Sequence, residues 1–383
     1  MKTQQSIYLD HAAGTFLLPE VAELVREFAD QAMANPSSIH APGREANTLL
    51  DRSRRTVAKV LGVKHGEIIF TSGGSEANNL AIKGIAQARR GRGKHIISCA
   101  TEHPSVLDSL KSLEASGFDV SYLPVNHFGE INLDDLRQSI TPSTILISLM
   151  WINNETGLIH PIEDIARIAR EAQIPFHCDG VQAAGHLPLN LSDLSIDALS
   201  LSGHKLGAPA GTGVLFLRKG TALGVQAHGG SQENNHRGGT QNLLGAISFA
   251  RALEIQTERL DTNYSHYQHL YTQLTDKFTP IPGLEINRQG DRYSPHILNC
   301  TVKQVDGEAM FIRLDVKHLA VSNGSACTSG SQAPSHVLTA LGFEKPQAQA
   351  SIRISLGLTT TQQEIELFCK QLGEIIQSIR RDP

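Results

Sequence analysis

The 383-residue sequence lacks a marked excess of either charge, a long apolar run and a large set of cysteines. Its 34 basic and 38 acidic residues give a net charge of −4, so it has no basic surplus for gripping nucleic acid or anionic membranes. The longest apolar run, residues 145–152, is far shorter than the roughly 20 residues that span a bilayer. Residues 1–5 are polar, unlike the core of a signal peptide. These absences predict a soluble cytoplasmic protein that contacts neither nucleic acid nor membrane directly.

The five cysteines form no recognisable set. Cys99, Cys178, Cys300, Cys327 and Cys369 include no CxxC pair, and the 17 histidines include no HExxH motif. A disulfide framework, a zinc cluster and a resident metal are therefore not expected, and the odd count leaves at least one free thiol. Apolar neighbours predict structural roles for four of these cysteines. Cys327 differs, because it stands in a run of about 13 small or polar residues, and long loops inside compact domains are usually functional.

The spacing of apolar residues predicts an α/β fold. Short apolar runs alternate with amphipathic helical patterns between residues 67 and 218, which is typical of a mostly parallel central sheet covered by helices. The strands are expected at residues 68–70, 96–99, 120–123, 145–151, 175–178, 198–201 and 214–217. Ligands of such sheets bind beyond the carboxyl ends of the strands. The residues that follow each strand are therefore the first place to look for a site.

The remainder of the chain predicts a smaller α+β domain. Residues 243–278 have the pattern of one helix of about 35 residues, long enough to connect two domains. Beyond it, strands are expected at 284–287, 296–302 and 352–356, and helices at 308–314 and 364–379.

The segment after the first strand suits a phosphate group. Residues 71–76, TSGGSE, run directly into a helix, whose start presents unpaired N–H groups and the positive end of the helix dipole. The chain contains neither GxxxxGKS/T nor GxGxxG, which disfavours Walker-type and dinucleotide sites. An ordinary glycine-serine loop remains the alternative for this segment.

A lysine stands at another strand end. Lys205 follows Ser202 and His204 directly after the strand at 198–201. This arrangement suits a lysine that bonds a cofactor covalently, while the hydroxyl and imidazole hold the cofactor's phosphate. A solvated surface lysine is the alternative, but the apolar neighbours Leu199 and Leu206 favour burial.

Polar residues follow three further strands. Asp179, with Gln182 three positions later, could pair with a protonated ring nitrogen, although a carboxylate in this place also caps helices. His103 could stack on a planar cofactor, and Asn154 offers an amide to a polar ligand.

Together these motifs resemble the cysteine desulfurases of the NifS/IscS type. The matching segments are YLDHAA (8–13), TSGGSEA (71–77), TEH (101–103), NNE (153–155), DGVQ (179–182), SGHK (202–205) and GSAC (324–327). They occur in order over nearly the whole chain. The resemblance implies a pyridoxal 5'-phosphate enzyme of fold type I, like aspartate aminotransferase and of class V. It also implies a homodimer with active sites at the subunit interface.

The resemblance implies roles for residues around the cofactor ring. Lys205 resembles the lysine that bonds the cofactor, and Asp179 the partner of the pyridinium nitrogen. Gln182 would bond the ring hydroxyl, and His103 would stack on the ring and assist proton transfer.

The resemblance also implies phosphate and substrate contacts. The phosphate would be held by Gly74, Ser75, Ser202 and His204, with Thr240 reaching it from the neighbouring subunit. Asn154 and Arg353 resemble the pair that binds the substrate carboxylate, for which a guanidinium fork is well shaped.

Cys327 resembles the cysteine that sets these enzymes apart. The implied reaction converts L-cysteine to L-alanine and leaves the sulfur on Cys327 as a persulfide. The sulfur would then pass to a protein acceptor, either an iron-sulfur scaffold or a tRNA-thiolating enzyme. The resemblance leaves open a contact between Cys327 and an iron-sulfur cluster during transfer.

The motif order predicts two domains. The large cofactor-binding domain would comprise residues 15–257, and residues 1–14 and 258–383 would form the small domain that carries Cys327.

Alternatives remain open at this stage. A C–S lyase, a selenocysteine lyase or an aminotransferase would keep the fold, and a non-enzymatic metal or sulfur carrier is a rival from another class. The sequence also departs from the usual family pattern at Gly14, Phe16, Ser75, Ala210 and Asn234.

Overall fold

The computed structural model describes residues 6–29, 34–324 and 334–381. Within these ranges the strands are β1 (Ile7–Tyr8), β2 (Ile68–Thr71), β3 (His95–Cys99), β4 (Asp119–Leu123), β5 (Thr144–Ser148), β6 (Phe176–Asp179), β7 (Ala198–Ser202), β8 (Gly213–Leu217), β9 (Leu284–Ile286), β10 (Ile297–Val302), β11 (Leu319–Ala320) and β12 (Ser351–Ser355). The α-helices are α1 (Pro19–Ala29), α2 (Ala41–Leu61), α3 (Gly74–Ala88), α4 (Pro104–Glu114), α5 (Leu133–Ser139), α6 (Ile162–Glu171), α7 (Leu243–Glu258), α8 (Leu260–Phe278), α9 (Gly307–Val316), α10 (His336–Ala340), α11 (Lys345–Gln349) and α12 (Gln362–Arg381). None of the helices in these ranges is long and apolar enough to cross a membrane.

A seven-stranded sheet forms the centre of the larger part. Its strand order is β2-β8-β7-β6-β5-β3-β4. The strands from β7 to β4 pair in parallel, while β8 is antiparallel to both of its neighbours. Six of the seven strands are buried along their whole length, as expected for a sheet covered by helices on both faces. The predicted mostly parallel α/β fold is confirmed.

A smaller antiparallel sheet carries the second hydrophobic core. Its order is β12-β10-β9, and a two-stranded parallel pair joins β1 to β11. Buried residues of α8, α9 and α12 pack with Leu9 from the chain start in one hydrophobic cluster. The large sheet is covered by two other clusters, one of which includes the buried face of α7.

The single long helix predicted at 243–278 is wrong, because the chain forms two helices there. Arg259, with φ −103° and ψ 11°, ends α7 and begins α8. The buried side of α7 belongs to the core of the large sheet, whereas α8 packs in the second core. One straight helix could not pack in both cores. The helix therefore breaks at Arg259, although no proline or glycine lies there.

The predicted strand at 145–151 is shorter than expected. β5 ends at Ser148, although Leu149 and Trp151 still donate backbone hydrogen bonds to β6. The other predicted strands agree with the structure to within about two residues at each end.

Candidate active site

A cavity of about 370 Å³ opens at the carboxyl edge of the large sheet. It collects residues that follow β2, β3, β6 and β7, together with Arg353 from β12. Its lining comprises Ala12, Ala13, Ser72, Gly73, Gly74, Ser75, Glu76, Asn78, His103, Ser105, Met150, Ile152, Asn154, Asp179, Val181, Gln182, Ser202, His204, Lys205, Ala210, Gly211 and Arg353. The structure therefore brings together all the candidate residues named above except Thr240 and Cys327.

The start of α3 forms an open cradle in this cavity. Gly73 stands at the N-cap and gives the helix no side-chain cap. A Cβ atom on Gly74 would lie 2.7 Å from Val181 Cγ2 and 3.4 Å from Ser202 Cβ, so a side chain there would push α3 away from both. The first N–H groups of α3 and the Ser202 hydroxyl thus face the same space, which fits a phosphate group.

Asp179 is held at the end of β6 by two donors. Its Oδ2 accepts from Asn78 Nδ2 at 2.7 Å, and its Oδ1 accepts from the Val181 N–H at 3.0 Å. Asp179 is only 7% exposed. A fixed carboxylate of this kind can pair with a protonated pyridine nitrogen. The bond from the Val181 N–H is the kind of local contact that a helix-capping carboxylate makes, which is why capping was an alternative role for Asp179.

Lys205 lies on a short 3-10 turn directly after β7. Its Nζ donates to the carbonyl oxygens of Ala12 and Ala13, which come from the start of the chain. His204 Nδ1 is 2.9 Å from Ser202 Oγ. Burial, with the nearby charge of Lys205, lowers the pKa of His204 to about 4, so this imidazole is neutral at pH 7.

His103 precedes α4 and caps it. Its Nδ1 accepts from the Ser105 N–H at 3.1 Å and is 2.8 Å from Ser105 Oγ. Accepting at Nδ1 assigns the proton of the neutral ring to Nε2. The pKa of His103 is lowered, mainly because burial penalises the charged form, although Asp179 opposes this shift.

Gln182 is fixed from two sides. Its Nε2 donates to the Ala12 carbonyl oxygen at 3.0 Å, and its Oε1 lies 3.4 Å from His296 Nε2. The amide is 6% exposed and lines the cavity. Its remaining N–H is therefore available to a ligand in that space.

Arg353 brings a buried guanidinium group to the opposite wall. Nη1 donates to the Asn154 carbonyl oxygen at 3.0 Å, and Nη2 pairs with Asp10 Oδ1 at 2.7 Å. The side chain is 1% exposed. Its Nε is buried without a partner within the described part of the chain. A buried donor without an acceptor is costly. The guanidinium group lines the cavity, and its planar fork is suited to a carboxylate.

Cys327 lies outside the described residues. The other four cysteines are buried, as their apolar neighbours predicted. Burial raises the pKa of Cys99 to about 11 and the pKa values of Cys300 and Cys369 to about 12, and it also raises that of Cys178. These four thiols are protonated at pH 7 and are poor nucleophiles.

Thr240 is exposed and lines a different, smaller cavity. This space of about 80 Å³ also touches Ser72, Gly211 and Arg237. Thr240 thus does not line the main cavity of its own chain, and its expected contact with a neighbouring subunit stays a prediction.

The structure places all five departures from the family pattern, and Ser75 lies in the first turn of α3 and lines the main cavity. Gly14 accepts a hydrogen bond from the Tyr8 hydroxyl, and Phe16 is 55% exposed beside the Tyr8 ring. Ala210 lines the cavity, and Asn234 has a left-handed backbone with φ 55°.

Two functional contacts were not anticipated from the sequence. Asn78, which bonds Asp179, lies one helical turn after Gly74 and so on the same face of α3. That spacing was the available signal. The Asp10 contact to Arg353 joins residues 343 positions apart, and no local pattern could have indicated it.

The residues present fit pyridoxal 5'-phosphate. A lysine at a strand end, a held carboxylate, an imidazole and an uncapped helix start share one cavity at the carboxyl edge of the sheet. This combination defines a pyridoxal-phosphate enzyme of fold type I.

The chain belongs to the class-V aminotransferase family, whose model matches residues 7–368. It is 42% identical to the cysteine desulfurase IscS of Dictyoglomus turgidum, over 98% of this chain and 96% of that one. A solved NifS-like protein superposes with a TM-score of 0.91 at 34% identity, covering 98% of this chain and 100% of the other. SspA in complex with cysteine gives a TM-score of 0.82 at 36% identity, with 92% and 99% covered. The family expected from the residues is confirmed.

Proposed function

We propose that this protein is a pyridoxal-phosphate-dependent cysteine desulfurase, which converts L-cysteine to L-alanine and transfers the sulfur to a thiol of the enzyme. The observation that carries the proposal is the convergence of Lys205, Asp179, His103 and Arg353 on one cavity. The full-length similarity to cysteine desulfurases supports the same reaction, as does a structural neighbour that binds cysteine.

Each group of residues would hold one part of the cofactor. Lys205 would bond it covalently, Asp179 would pair with the ring nitrogen, and Gln182 would donate to the ring hydroxyl. The start of α3, with Gly74 and Ser75, would take the phosphate together with Ser202 and His204. When bound, pyridoxal phosphate supplies an electron sink for the pair left behind when the Cα–H bond breaks.

The protein's own groups would perform the remaining steps. Arg353 and Asn154, which both line the cavity, orient the substrate through its carboxylate. Lys205 Nζ takes the Cα proton, and His103, with its proton on Nε2, assists the later proton transfers.

Cys327 would complete the reaction. Its thiolate attacks the substrate sulfur, so that an S–S bond forms while the C–S bond breaks. The substrate Cβ keeps the electron pair of the broken C–S bond and is protonated, which yields L-alanine and a Cys327 persulfide. The high pKa values of the four buried thiols support Cys327 as the nucleophile, because those thiols are protonated at neutral pH.

The assembly and domain division belong to the same proposal. We infer a large domain of residues 15–257 and a small one of residues 1–14 and 258–383, which the separate hydrophobic clusters support. A homodimer is supported by exposed Thr240 and by the exposed apolar side chains Phe16 and Ile39. The acceptor would be an iron-sulfur scaffold or a tRNA-thiolating enzyme, and the location cytoplasmic.

The variant Cys327→Ser tests the reaction against its relatives. A desulfurase loses alanine formation from L-cysteine, while the variant stays yellow because Lys205 still bonds the cofactor. A lyase or aminotransferase that does not use Cys327 would react at the native rate, and that result would overturn the proposal. A colourless wild-type protein, which borohydride cannot link to pyridoxal phosphate at Lys205, would overturn it as well.

A further inference from the structure

Glu155 is a buried carboxylate with no part in the chemistry described above. It is 1% exposed and follows Asn154 in the turn after β5. Its Oε2 accepts a hydrogen bond from Ser335 Oγ. A Cβ atom on Gly324 would lie 3.2 Å from the same Oε2 and 3.4 Å from Ser335 Cβ. The carboxylate therefore bonds the residue just after the segment that contains Cys327 and lies close beside the residue just before it.

Each side of that segment is tied to the described structure. Before it, Ser322 exchanges backbone hydrogen bonds with Arg353, at 2.6 and 3.2 Å, and its Oγ donates to the Gly324 carbonyl oxygen at 2.8 Å. After it, Ser335 caps α10 by accepting from the Leu338 N–H at 3.2 Å. Among the described residues, Glu155 lies between these two points: it bonds Ser335 and leaves little room beside Gly324.

The backbone of Glu155 is also held firmly. Its N–H donates to Asn153 Oδ1 at 2.9 Å, and its carbonyl oxygen accepts from Asn299 Nδ2 at 3.2 Å. The preceding Asn154 carbonyl oxygen is the acceptor for Arg353 Nη1. One turn thus contacts both the arginine that faces the substrate carboxylate and the two ends of the Cys327 segment.

We propose that Glu155 is a positioning residue, which fixes where the Cys327 segment starts and ends relative to Arg353. This inference rests on the proposed function, because it assigns Cys327 the role of nucleophile. Glu155 would not contact the substrate, and its effect would pass through Ser335 and Gly324. It should therefore govern the sulfur-transfer step and leave cysteine binding nearly unchanged.

The test compares Glu155→Gln with Ser335→Ala and with Glu163→Gln, an exposed glutamate on α6. Hydrogen exchange is measured on peptides covering residues 319–324 and 334–341, with β10 as an internal reference. Glu155→Gln weakens and Ser335→Ala removes the hydrogen bond between the two side chains, so exchange of these flanks should rise about tenfold in both variants, while β10 and the Glu163→Gln protein should not change. Because Ser335→Ala also removes the cap of α10, the diagnostic peptide in that variant is the one covering residues 319–324.

Kinetics provide the second measurement. Persulfide formation should slow about tenfold in both variants, while the cysteine concentration that half-saturates the change in cofactor absorbance stays within about twofold. If Glu155→Gln does not fold, Ser335→Ala still tests the inference, because it removes the same hydrogen bond from the other side. Unchanged exchange, or a loss confined to cysteine binding, would overturn it. If the wild-type enzyme formed no persulfide, the proposed function would fail, and the exchange data would still decide whether Glu155 anchors the segment.

Discussion

Asn78 on α3 donates its Nδ2 to the Asp179 carboxylate at the end of β6, across 2.7 Å. The same Nδ2 is 2.9 Å from Ser105 Oγ, and Ser105 in turn bonds His103. The helix that carries the phosphate cradle thereby also sets the carboxylate and the imidazole of the site. One rigid element positions three parts of the cofactor cavity at once.

Replacing Asn78 by alanine should weaken cofactor binding. Asp179 would keep a single donor, the Val181 N–H, and hydrogen bonds to charged groups contribute about 1.5 to 3 kcal/mol. We expect the dissociation constant of pyridoxal phosphate, measured by equilibrium dialysis, to rise at least about tenfold. The matched control is Asn79→Ala, since Asn79 lies next along α3 and, in the described part of the chain, its side chain bonds the Ser75 carbonyl oxygen rather than Asp179. Equal affinities for the Asn78 and Asn79 variants would contradict the role of Asn78.

Substitution of Arg353 by lysine should raise the KM for L-cysteine. The guanidinium group contacts the Asn154 carbonyl oxygen and Asp10 through two different nitrogens, and an ammonium group cannot reproduce this fork. We expect KM to rise about 10 to 100 fold, measured as alanine formation over a range of cysteine concentrations. An unchanged KM would show that the carboxylate binds elsewhere. The matched control is Arg167→Lys, on the exposed face of α6.

Buried His177 should make the protein sensitive to acid. Its ring lies between Ser148 Oγ and Ser200 Oγ, and burial lowers its pKa to about 3. In the unfolded chain the His177 ring takes up a proton near pH 6.5. The free energy of unfolding is therefore undiminished by this group above pH 6.5 and decreases as the pH falls from 6.5 towards 3. Between pH 6 and 4, His177→Gln should reduce the slope of the unfolding free energy by about 1.4 kcal/mol per pH unit.

Urea unfolding at several pH values measures that slope. The exposed His269, which bonds Gln273 on α8, offers the control His269→Gln. Identical slopes for the His177 and His269 variants would refute the burial argument.

The buried ion pair between Arg54 and Glu233 should be essential for stability. Both guanidinium contacts measure 2.8 Å, and Glu233 Oε2 also accepts from the Phe70 N–H at 2.8 Å. Glu233→Gln leaves a buried arginine without a counter-charge, which typically costs about 3 to 5 kcal/mol. The control Asp51→Asn breaks the exposed pair with Arg55 and should cost less than about 1 kcal/mol. Comparable urea midpoints for both variants would contradict this prediction.

Much of the fold was predictable because its signals are local. Six of the seven strands from β2 to β8 are short, buried apolar runs, and residues that follow β2, β3, β6 and β7 line the cavity. The break at Arg259 was not predictable, since no proline or glycine marks it and it arises from the need of α7 and α8 to pack in different cores.

The site, like the fold, was predictable where its signals are local and unpredictable where they depend on distant contacts. Lys205, Asp179 and His103 stand directly after strands, so their meeting at one edge of the sheet followed from the topology. The partners that hold them in place depend on contacts distant in sequence. The Ala12 carbonyl oxygen bonds Lys205 from 193 positions away, and Asn78 bonds Asp179 from 101 positions away.

In the proposed reaction, sulfur from L-cysteine moves to Cys327. The most direct measurement is to mix the pyridoxal-phosphate-loaded enzyme with L-cysteine in the absence of reductant, quantify alanine, and locate the persulfide by mass spectrometry. We expect one alanine per chain in the first turnover, with the persulfide on Cys327 and none on Cys99, Cys178, Cys300 or Cys369. A persulfide on one of those four cysteines, or alanine without any persulfide, would contradict it.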